Sequence, residues 1–186
     1  MWSTIITFGL RRKVARVRPA LLRSETANAA LEFALVAPIF IGLIVAILQT
    51  SLVFFTQQVL ETAAQAAARM IVTGQAKNNN MAQADLKTYA CSKLPSYVNC
   101  ASVFLDARMV SAFAGMDTSA PGVTRDTNGK PTIGTQYTQG SSNQIIILRL
   151  MYVYGVQGGP LGFDLSNIGN GQRLLVSTVV AKSEPY

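Results

Sequence analysis

The sequence contains no histidine, only two cysteines, and few charges: Asp, Glu, Lys and Arg make up 13% of its 186 residues, against about 25% in an ordinary soluble domain. Without histidine the chain lacks the commonest general base and the commonest metal ligand. Cys91 and Cys100 alone cannot build a structural zinc site. No serine sits in a nucleophile elbow, and the nine acidic residues are scattered. Glycines 155, 158, 159 and 162 do not have the spacing of a phosphate-binding loop. Asp126-Thr127-Asn128-Gly129 is only the start of a calcium-loop pattern and reads as a tight turn. We therefore expect neither an enzyme nor a bound metal or cofactor.

What the chain has instead is apolar. Hydrophobic residues are 49% of the total and mean hydropathy is positive, which excludes a disordered chain. The formal net charge of +7 is concentrated at one end. Arg11, Arg12, Lys13, Arg16, Arg18 and Arg23 precede the first acid, Glu25, while the chain from Ser24 on carries 10 basic and 9 acidic residues. A nucleic-acid face would spread its basic residues among aromatics over a folded surface. This block does not, and no nucleic-acid partner is expected.

Residues 33–55, FALVAPIFIGLIVAILQTSLVFF, hold no charge over 23 positions. As a helix they would be roughly 35 Å long, enough for a hydrocarbon core of about 30 Å. Core helices seldom run so long without a polar face. A cleaved secretory signal would have a shorter apolar stretch of about 7–15 residues. The basic block before the span places the N-terminus in the cytoplasm and the rest outside, in the periplasm of a bacterium. Pro38 removes a backbone donor and should kink the helix. Glu32 lies against the apolar run, and acids in such places are functional candidates, here for pairing with a positive group on a partner.

The helix should outlast the membrane. Leu60, Ala63, Ala64, Ala67 and Ile71 fall on one face, with Glu61, Gln65 and Arg69 on another, and Gly74 is a plausible stop. A short second helix is expected at 81–93, burying Ala84, Leu86, Tyr89 and Ala90, after a polar break at 78–80.

The segments TANAALEFALVAPIF and LVFFTQQVLETAAQAAARMIVTGQA, together with the ending LLVSTVVAKSEPY, resemble the TadE-like pseudopilins of tight-adherence (Tad, Flp-type) pili. The resemblance covers roughly residues 11–77 and 145–186. It implies that a prepilin peptidase removes the leader 1–27 by cutting between Ala27 and Asn28, leaving Glu32 and Phe33 as the family's acid–aromatic pair near the new terminus. Ala27 stands where the family usually has glycine, and Gln49 where members often have a second acid. The resemblance also implies other pilin-like subunits and the Tad assembly platform as partners, with the inner membrane as location. The alternative is a membrane-anchored periplasmic binding or sensing domain unrelated to pili.

In an oxidising periplasm Cys91 and Cys100 should form a disulfide. Residues 101–113 alternate as a half-buried strand, with Val103, Leu105, Ala107 and Met109 on one side and Asp106 and Arg108 on the other. Residues 115–143 read as a long loop, 144–154 as a central buried strand and 173–182 as the last strand. The expected fold is α+β and pilin-like. A long helix (28–75, spanning at about 33–55) would pack by its outer half on a small antiparallel sheet within a periplasmic domain, 76–186.

Overall fold

The structure is a computed structural model that describes residues 25–112 and 119–185. The basic block at 11–23 lies outside the described residues. Helix α1 covers Glu25–Val72. Its part up to Ile41 belongs to one compact unit and its remainder to a second, Gly42–Tyr186.

In the second unit α1 has two faces. Leu60, Ala63, Ala64, Ala67 and Ile71 are buried, while Glu61, Gln65 and Arg69 are exposed, as their helical spacing predicts. The helix ends where a glycine allows it. Gly74 adopts φ 73° in the left-handed region, and its N–H donates to the Ile71 carbonyl at 3.0 Å. A single turn, α2 (Gln75–Asn78), follows, so Asn78 ends a helix where the sequence predicts a break. Asn80, at φ 49°, turns the chain.

Helix α3 covers Gln83–Cys91, shorter than the expected 81–93. Its start is fixed by the Asp85 carboxylate, which accepts the Ala82 N–H at 2.8 Å. Leu86 and Ala90, one turn apart, are buried, and Tyr89 is half-buried. Ala84 is exposed, contrary to expectation, because only this narrow stripe of α3 meets the core. The disulfide between Cys91 and Cys100 is present, with a Cα–Cα distance of 5.9 Å, and ties the end of α3 to the approach of the first strand.

Three antiparallel strands form the main sheet in the order β1–β4–β5: β1 Val103–Val110, β4 Ile145–Gly155 and β5 Gln172–Lys182. The continuous apolar run of β4 sits at the centre and is buried on both sides, as such runs require. On one face, Leu105 opposes Leu150, Ala107 opposes Leu148 and Leu175 opposes Tyr152. This face and the Leu60–Ile71 stripe of α1 share one hydrophobic core. The stripe is mostly alanine, so the helix backbone can approach the sheet closely.

On the opposite face Asp106 opposes Arg149. Asp106 lies away from the helix, as the alternation predicts, but it is 2% exposed rather than solvated. The reason is cover from the stretch expected to be a loop. The Gln136 N–H donates to Asp106 Oδ1 at 2.6 Å, and Arg108 Nε lies 2.9 Å from Oδ2. Residues 115–143 therefore correct the expectation. They include a hairpin of β2 (Val123–Arg125) and β3 (Pro131–Ile133), with strands too short to show alternation in sequence. The Asn128-Gly129 turn closes it. Asp126 Oδ1 accepts the N–H groups of Asn128 and Lys130 at 2.9 and 2.8 Å, so this carboxylate is committed to the turn. The Arg125 guanidinium donates to Gln172 Oε1 at 3.0 Å and to the Ile168 carbonyl at 2.9 Å, fastening the hairpin to the start of β5.

The candidate membrane and assembly site

In the first compact unit, α1 holds the residues expected to carry processing and assembly. Ala27, Asn28, Glu32, Phe33 and Pro38 all lie within the helix. Asn28 and Glu32 are both exposed and stand four residues apart, about one helical turn. Phe33 and Leu35 are each 73% exposed, and Leu31, Val36, Ile39 and Phe40 are exposed with them. The helix passes through Pro38, which leaves the carbonyl of Ala34 without its usual N–H donor.

In the second unit the apolar exposure continues through Leu43, Ile44, Ile47, Leu48, Leu52, Phe54 and Phe55. α1 is long and apolar enough to cross a membrane, and only 6% of its most apolar stretch is buried, unlike a core helix. These are the properties of a membrane anchor, and among the described residues α1 is the one helix that has them. The hydroxyls in this run are already satisfied inside the helix. Thr50 donates to the Ala46 carbonyl, Ser51 to Ile47 and Thr56 to Leu52, each at 2.8 Å. They bring no orphan donor into an apolar medium.

Gln49 differs. Its Oε1 is buried and accepts no hydrogen bond. With Leu52 and Val53 it lines a cleft of about 250 Å³ whose opposite wall is Tyr154, Gly155, Val156 and Gln157, at the end of β4 and just beyond it. This cleft escaped the sequence reading. Its only signal there was a carboxamide inside an apolar run and a second charge-free stretch far along the chain.

Among the described residues no group of three His, Cys, Asp or Glu side chains is placed to hold a metal. Asp106, Arg108 and Arg149 line one small pocket on the sheet face away from α1, with Asp106 and Arg149 buried. Cys91 and Cys100 are brought together as expected.

No curated protein and no solved structure matches the chain. One family does match, and it matches the helix rather than the sheet. Over residues 28–69, beginning at the residue expected to become the mature terminus, the chain fits the family described as TadE-like protein, and its N-terminal helix is TadE-like.

Proposed function

We propose that the chain is a pseudopilin, a minor pilin-like component anchored in the bacterial inner membrane, that takes part in assembly of a Tad (Flp-type) pilus for surface adherence. One observation carries the reading: the TadE-like match coincides with a helix that leaves its apolar side chains unpacked within the chain. Such a surface needs lipid or other subunits to cover it. In this reading the basic block holds the N-terminus in the cytoplasm and the sheet domain is periplasmic. The anchor occupies roughly 33–55 of a helix that continues to about 75, and the domain follows at 76–186. A prepilin peptidase removes 1–27 between Ala27 and Asn28. The new amine at Asn28 then stands one turn from Glu32, which neutralises it in the same chain or in a neighbour and sets the register of assembly. Pro38 bends the anchor, and the partners are other pilin-like subunits and the assembly platform. The role is structural, with no catalytic step.

N-terminal sequencing tests the reading. The mature protein should begin at Asn28 in a strain with the prepilin peptidase and keep its leader in a strain without it. An intact leader in both strains would support a periplasmic binding or sensing domain unrelated to pili.

A further inference from the structure

Along α1, residues 48–55 face two environments at one level. Gln49 and Val53 line the cleft against Tyr154, Gly155, Val156 and Gln157. Leu48, Leu52, Phe54 and Phe55 are 55–70% exposed. If those four side chains meet lipid, the segment across the cleft cannot stand far out in water.

The composition of that segment agrees. From 150 to 163 the sequence LMYVYGVQGGPLGF contains no charged residue. Its exposed members, Gly155, Gln157, Gly158, Pro160 and Gly162, bring no charge that would have to be taken out of water. The turn is anchored from beneath. Val156 is 8% exposed and donates its N–H to the Gly171 carbonyl at 2.7 Å. The Gly159 N–H donates to the Phe163 carbonyl at 2.7 Å. The backbone around the remaining glycines is open and polar, which fits the interfacial layer, where water and headgroups can hydrogen-bond to it, and does not fit the hydrocarbon core.

The Gln49 carboxamide adds an independent observation. A buried acceptor without a donor is uncommon and calls for one. Water or a headgroup ammonium in the interfacial layer supplies it.

We infer that the 155–163 loop is a second membrane contact, seated in the lipid headgroup layer beside α1, with the 49–157 cleft opening into that layer. This rests on the reading of α1 as a membrane anchor. The loop then meets the bilayer at the level of Leu52 to Phe55, at the outer end of the 33–55 span. The domain is held against the bilayer at two points, which removes the swivelling that a single helix would allow.

Spin labels test this on the full chain in liposomes of phosphatidylethanolamine and phosphatidylglycerol. The native cysteines are joined to each other, so an introduced cysteine is the reactive thiol. Leu43→Cys reports the span, Gln157→Cys the loop and Gln75→Cys the segment beyond the other end of α1; all three sites are exposed. Collision with oxygen, which enriches in lipid, is compared with collision with a water-soluble nickel chelate. The expected result is oxygen-dominated at 43, chelate-dominated at 75 and intermediate at 157, shifted towards oxygen relative to 75. A label at 157 indistinguishable from that at 75, while 43 still reports lipid, overturns the inference and leaves the anchor standing. An aqueous signal at 43 as well overturns the anchor reading and this inference with it.

Discussion

The backbone N–H of Glu184 donates to the carbonyl of Val72 at 3.0 Å and so caps the end of α1. That carbonyl is one of the last four in the helix, which lack intrahelical donors. Ser183 beside it is 3% exposed and acts as a hub. Its N–H donates to the Gln144 carbonyl at 2.8 Å, its Oγ accepts the Gln144 N–H at 3.1 Å, and its hydroxyl donates to the Ser141 carbonyl. Ser183 and Glu184 thus join the end of α1, the start of β4 and the end of β5. Ser183→Ala removes two hydrogen bonds and leaves the Gln144 N–H and the Ser141 carbonyl only their long mutual bond of 3.3 Å; at about 0.5–1.5 kcal/mol per bond it should cost about 1–3 kcal/mol. Urea unfolding in detergent micelles, followed by near-ultraviolet circular dichroism, measures it.

The seam between α1 and the sheet is narrow because it is lined with alanine. Ala64 and Ala67 are fully buried, and one turn of the same helix carries exposed Gln65. Ala64→Leu has no space and should destabilise the domain by about 1–3 kcal/mol through overpacking. Gln65→Leu should change stability by no more than about 0.5 kcal/mol. Equal effects from the two in the same unfolding assay would mean that the helix does not pack by this stripe.

Much of this was legible in the sequence because periodicity reports burial directly. The alanine stripe, the Gly74 stop, the central apolar strand and the closing strand could all be read from residue spacing. Asp106 could not, because its burial depends on Gln136, thirty residues away, and on the segments at 119–122 and 134 that flank the β2–β3 hairpin. Ala84 misled because a small apolar residue on a short helix is equally at home on either side. The apolar run at 33–55 was legible for a different reason. It holds no charge over 23 positions, a pattern visible in sequence although the fold leaves most of its large side chains exposed.

Asp106 should matter for stability as well. Asp106→Ala removes the acceptor of the Gln136 N–H and the carboxylate partner of Arg108. Arg108 is a third exposed, so water screens its share of the loss, and the unpaired backbone N–H costs about 1–3 kcal/mol. The variant should be largely degraded in cells, whereas Asp126→Ala, at an exposed turn, should accumulate. Immunoblotting of membrane fractions compares the two.

Stability should fall in alkali through Tyr137. Burial raises its phenol above the ordinary 10.0, and the Asp85 carboxylate adds to the rise. Its hydroxyl donates to the Met81 carbonyl at 2.7 Å, which a phenolate cannot do. The fold therefore favours the neutral form. This contribution is fully present below the unfolded value, near 10.0, and is lost as pH rises through the raised folded value. Burial raises Tyr152 as well, so the wild type should lose stability in two contributions. Tyr137→Phe should be weaker near neutrality but show a shallower alkaline decline, measured as midpoint temperature against pH from 8 to about 12.

Glu32 offers the test that separates anchoring from assembly. Alanine at this position lowers the cost of placing the helix in lipid, since the acid is the unfavourable group there. Glu32→Ala should therefore insert as well as wild type, scored by resistance of the membrane fraction to alkaline carbonate. Assembly should respond in the opposite direction. The processed amine at Asn28 would lose the carboxylate one turn away and enter the apolar environment as an unpaired charge. Most pili should disappear from cells carrying the variant, counted by electron microscopy, with leader cleavage unchanged. Glu32→Asp keeps the charge on a shorter arm and should restore part of the loss. Wild-type piliation by the alanine variant would remove the charge pair from the assembly mechanism while leaving the membrane anchor intact.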